Sequence, residues 1–117
     1  MNIIFDEKLT EEIKNRYIVL ELDTVKQSSM IKPITLHAII EYPTIDNFFK
    51  LEELIEQHRT MVYQYKNNHC DDAVFNAYAL KGSWNGELDE FYEHVIEFCK
   101  SLQKQNQVWD GIRFINE

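Results

Sequence analysis

Glycine and proline are scarce in this chain, three and two among 117 residues. That leaves no segment with the composition of a flexible or low-complexity linker. With 44% apolar and 13% aromatic residues, the composition is that of a folded globular chain and not of a disordered one. Cysteine is scarce too. Cys70 and Cys99 could form one bridge, but a single pair in a chain able to build a core is no disulfide framework, so reduced thiols are expected. Long apolar runs are lacking: IVL at 18–20 and AII at 38–40 fall far short of the roughly 20 residues a membrane helix needs. MNIIFDEKL lacks the basic-then-apolar layout of a secretory signal, which points to a soluble, cytoplasmic protein with no membrane partner. Basic charge is the last shortage. Twelve Lys and Arg against twenty Asp and Glu give a formal charge of -8, and no local basic patch offsets it, so binding to a phosphate backbone is disfavoured. The length suits one domain spanning residues 1–117.

The first half carries strand signals. YIVLELDTV (17–25) is rich in β-branched and apolar residues, and ITLHAIIEY (34–42) alternates Ile34, Leu36, Ala38 and Ile40 against Thr35, His37, Ile39 and Glu41. The polar KQSSMIKP between them allows an antiparallel hairpin with a long loop. Before them, DEKLTEEIKNR (6–16) has acids early and bases late, as a short helix prefers.

Residues 59–80 divide two fold readings. A hairpin of TMVYQYK and AVFNAYAL would give a ferredoxin-like βαββαβ sandwich. A helix from Ile45 to about Lys66 instead gathers Phe48, Leu51, Leu54, Ile55, His58, Met61, Val62 and Tyr65 into one arc of roughly 140°. Thr44 or Asp46 would cap its start and Asn67-Asn68 would end it, while three alanines in AVFNAYAL favour a second helix capped by Asp71 or Asp72 and stopped at Gly82. A third helix is marked by the face Leu88, Phe91, Tyr92, Val95, Ile96, Phe98, Cys99 and Leu102. VWDGIRFI (108–115) reads as a short closing strand or a docked apolar tail. The favoured class is α+β, an N-terminal antiparallel strand pair packed against a three-helix C-terminal half.

KNNHCDD (66–72) is the densest run of reactive side chains, yet neighbours in a turn point in different directions and rarely supply more than two metal ligands. The surrounding YKNNHCDDAV resembles the helix junction of a tetratricopeptide unit, a likeness confined to these ten residues. No second copy follows and an array needs about three, so the family is not assigned. Paired spacings for zinc are absent, and no metal, cofactor or catalytic residue is expected. Cys99 lies on an apolar helix face, where a free thiol is a small hydrophobe, and KGSWNGE lacks the phosphate-cradling glycine pattern.

Three functions are carried forward as expectations. The first is a non-enzymatic acidic interaction module, an accessory, inhibitor or immunity-type factor for another protein, a basic one being the best suited, using Trp84, Trp109, Glu90, Glu93 and Glu97. A second copy of the chain is admissible as a partner. The second is a small-molecule site or minor enzyme with His37, Glu41 and His58 lining a pocket between strands and helices. The third is acidic mimicry of nucleic acid.

Overall fold

The computed structural model describes residues 2–4, 11–14, 17–41 and 48–115. The chain divides into two compact units, one of Met1–Asp46 with Ile112–Glu117 and the other of Asn47–Gly111. The four strands lie in the first and the three long helices in the second, so the α+β class holds. No helix among the described residues is long and apolar enough to cross a membrane.

The sheet unit is built on β2 (Tyr17–Lys26) and β3 (Ile34–Glu41), which pair antiparallel as their composition predicts. Ile18, Leu20, Ala38 and Ile40 are buried, and the opposite face of β3 runs out to the exposed Glu41. A bulge between Glu21 and Thr24 shifts the register and breaks the alternation of β2, so Leu22 and Asp23 are buried in succession before Val25. The sheet has order β1-β3-β2-β4, with β1 (Asn2–Ile4) antiparallel to β3 and β4 (Arg113–Phe114) parallel to β2. Arg113 on β4 donates to the Asp23 carboxylate at 3.0 Å, so the last strand brings a cation to an acid that the bulge has turned inward. Residues 11–13 are helical, while most of the short helix expected over 6–16 lies outside the described residues.

In the helical unit, α1 spans Phe48–Lys66, α2 Cys70–Leu80 and α3 Asp89–Gln105. Both segments of the alternative hairpin are therefore helical and the ferredoxin-like order is not formed. The caps proposed at Thr44 and Asp46 lie outside the described residues. Leu51, His58, Met61, Val62 and Tyr65 are buried along α1, as the predicted stripe requires. The buried side of α2 is small, with Ala73 and Ala77 fully enclosed, which lets its backbone approach both neighbours. Between α1 and α3 the space is filled by large rings instead. Tyr65 meets Phe91, His94 and Phe98 edge-on, with centroids at 6.3, 6.1 and 5.8 Å.

α3 carries the face its sequence predicts, and its closing Asn106 is left-handed at φ 53°. The cap of α2 differs from expectation. His69, not an aspartate, holds the N-cap position and makes no side-chain cap hydrogen bond, while Asp71 and Asp72 lie in the first turn. There their charge favours the helix through its dipole, not by direct capping.

Candidate functional site

KNNHCDD is a helix junction. Asn68 takes the left-handed conformation at φ 65°, and the His69 amide returns to the Gln64 carbonyl at 2.9 Å to close α1. The Asn68 side chain also holds the backbone of Trp109, donating to its carbonyl at 2.8 Å and accepting from its amide at 2.9 Å. At Gly111, φ is 84° and a Cβ would stand 3.1 Å from the Lys66 carbonyl oxygen, so only glycine fits this approach without displacing the junction. An open surface cavity of about 510 Å³ lies beside the junction, lined on one side by His69, Cys70 and Asp71 and on the other by Leu102, Gln103 and Gln107. Among the described residues no cluster of three or more His, Cys, Asp or Glu side chains could hold a metal ion.

The two tryptophans expected as partner anchors turn inward. Trp84 follows Ser83 into a 3-10 turn (Trp84–Gly86) and is 8% exposed, its indole N–H donating to the Tyr92 hydroxyl at 3.0 Å. Trp109 is half-buried, with its ring 4.9 Å from Tyr65 and 4.6 Å from Phe98, and its indole donates to the Tyr65 carbonyl at 3.0 Å. Both are internal braces of the helical unit.

His58 is 1% exposed inside the same unit, with Nδ1 2.9 Å from the Tyr92 hydroxyl. Because Trp84 can only donate, the arrangement that satisfies all three groups has Tyr92 accepting from Trp84 and giving its own proton to His58 Nδ1. His58 is thus spent in the helical core. His37 and Glu41 belong to β3 of the sheet unit, on the face opposite Ala38 and Ile40, with His37 half-buried and Glu41 exposed. His94 of α3 stands at 3.1 Å from the Tyr65 hydroxyl through Nε2.

Of the glutamates singled out, Glu90 and Glu97 are exposed and Glu93 is half-buried in an ion pair with Lys81. Lys81 ends α2, so this pair marks one point on the α2–α3 seam. Two more contacts continue it: Lys100 donates to the Tyr78 hydroxyl at 3.0 Å and lies 5.3 Å from that ring's centroid, and Gln103 donates to Asp71. Asp71, Phe75 and Tyr78 follow at i, i+4 and i+7, so they form one stripe along the seam. Phe75 and Tyr78 are 73% and 51% exposed. Sequence reading did not single them out, although a Phe and a Tyr off the alanine face of a short helix are the available signal.

Two protons are held unusually tightly. Burial raises the Tyr92 phenol well above its ordinary value of 10.0, opposed by the Trp84 hydrogen bond and aided by the charge of Asp89. Burial pushes the Cys99 thiol from 9.0 up to about 12, aided by the charge of Cys70 and by a hydrogen bond with it. Both groups keep a native-state proton that the unfolded chain loses first. Their stabilising effect is complete below pH 9 and is lost as pH rises towards 12. Urea midpoints at pH 7, 9 and 11 are expected to fall only across the upper interval, and Cys99→Ala to flatten the first part of that fall.

No protein-family model, curated protein or solved structure matches the chain.

Proposed function

We propose that the chain is a non-enzymatic acidic interaction module whose α2–α3 face binds a basic partner protein, as an accessory, inhibitor or immunity-type factor does. The observation that carries this reading is the pair of exposed rings, Phe75 and Tyr78, beside Asp71 of α2 and the Glu90, Glu93 and Glu97 flank of α3. Water-facing aromatics are costly to leave bare, and covering a side chain of Phe size contributes about 1.5–3 kcal/mol. Carboxylates around them add long-range attraction for cations and set orientation more than affinity. The formal charge of -8 extends that field beyond the face itself.

Purification of the tagged protein from its native host at several salt concentrations tests the reading. A partner rich in Lys and Arg, recovered in falling yield as salt rises, is expected. Recovery of no protein at any salt concentration overturns it.

A further inference from the structure

We infer that the outer edge of β2 at Tyr17–Glu21 takes an extended segment of a partner protein as an added antiparallel strand, one with an apolar residue at its centre and a Lys or Arg two places to either side. This edge belongs to the sheet unit and does not involve the α2–α3 face.

β2 runs for ten residues, but β4 pairs with its outer side only at Val25 and Lys26. Among the described residues no strand pairs with Tyr17–Leu20 on that side. Main-chain groups alternate sides along a strand, so the ladder fixes which of them point outward. The Ile115 amide donates to the Lys26 carbonyl at 3.0 Å, so Lys26 turns outward and Val25 turns towards its partner Ile34 on β3. The bulge places its extra residue in β2 and leaves β3 regular, so Ala38 and Ile40 turn the same way as Ile34 and meet Leu20 and Ile18. Tyr17, Val19 and Glu21 therefore present their main-chain groups to the outer side.

Open edges are ordinarily blunted by Lys, Pro, a bulge or an inward-pointing charge. The bulge, the buried Asp23 and β4 guard the far half of β2, whereas YIVLE (17–21) contains neither Lys nor Pro. Charge then selects the occupant. The side chains of Tyr17, Val19 and Glu21 share one sheet face, Glu21 is exposed, and the exposed Glu41 pairs beside Tyr17. An added antiparallel segment would set one cation against Glu21, its apolar centre against Val19, and its second cation over Tyr17 towards Glu41, about 10 Å away across two strand spacings. A second copy of the chain suits the edge less, because each copy carries a formal charge of -8.

The test titrates the isotope-labelled whole protein with the peptide acetyl-Lys-Ile-Val-Ile-Lys-amide and follows backbone amides by NMR. Saturable shifts are expected at Tyr17, Val19 and Glu21. N-methylation of the peptide's central valine removes a donor aimed at β2 and should weaken binding at least roughly tenfold, whereas N-methylation of either isoleucine, whose N–H points away, should leave it within about twofold. Glu21→Lys should reverse the preference, favouring a peptide with glutamate in place of both lysines. Val19→Pro removes an outward amide hydrogen and spares the β2–β3 ladder, so it should lose the peptide with little change in urea midpoint. Absence of shifts, equal sensitivity to the two kinds of N-methylation, or shifts centred on another element would each overturn the proposal. Concentration-dependent pairing of the free chain through the same amides would overturn it too, by giving the edge to a second copy. The wild-type titrations decide these outcomes whether or not a variant folds.

Discussion

Tyr92→Phe is expected to destabilise the helical unit by about 2–4 kcal/mol, although it removes a single oxygen atom. That oxygen lies 2.9 Å from His58 Nδ1 and 3.0 Å from Trp84 Nε1. Tyr92 and His58 are 0% and 1% exposed and Trp84 is 8% exposed, so water cannot readily replace the lost partner. Two polar groups from α1 and the 3-10 turn would each lose this bond, at a cost of about 1–3 kcal/mol apiece before relaxation. The ring contacts survive, since phenylalanine keeps the packing of Tyr92 against His58 and Phe91 at centroid separations of 5.7 and 6.0 Å. The loss would therefore report on hydrogen bonding and not on a cavity. Urea denaturation monitored by circular dichroism checks it, and a loss below about 0.5 kcal/mol would contradict the assigned network.

Trp109→Ala carries the second large effect, a loss of about 2–4 kcal/mol, somewhat below the range for a fully buried tryptophan because this one is half-buried. The substitution removes ring contacts to Tyr65 and Phe98 and the indole bond to the Tyr65 carbonyl. It spares the Asn68 bonds to the backbone at 109, which do not use the indole. Trp109→Phe separates the contributions: it keeps a ring and loses the N–H, so about 1 kcal/mol is expected. Equal effects from the two substitutions in the same denaturation assay would show that ring packing contributes little.

Helices of this chain were legible because their apolar residues repeat over several turns. The α3 face from Leu88 to Leu102 and the α1 stripe through His58 each contain enough repeats to fix period and phase. Of the edge strands, β1 was not legible and β4 was legible only as one of two options for 108–115, since three residues and two residues show no period and are defined by partners distant in sequence. The bulge after Glu21 was hidden for a related reason: it appears only when β2 is set against β3. Asp23 was its one trace, an acid within an apolar strand.

Side-chain direction in connections was the hardest part to read. Trp84 lies in a Gly-Ser-Trp-Asn-Gly run between two helices, where composition alone leaves the ring facing either the core or a partner, and positive φ at Trp84 and Asn85 folds the run so that the indole reaches Tyr92. Trp109 is turned in by Asn68, a contact across 41 positions that no local pattern announces. KNNHCDD changes meaning in the same way. Its asparagines end a helix and hold the backbone of Trp109, and its aspartates support the next helix.

The most direct test of the interaction face is the affinity of the recovered partner for a Phe75→Ser, Tyr78→Ser double variant, measured beside the wild type by isothermal titration. Both rings are largely outside the core, so the urea midpoint should stay close to wild type while Kd weakens by at least roughly tenfold. An unchanged Kd in a stably folded double variant would contradict the assignment of this face.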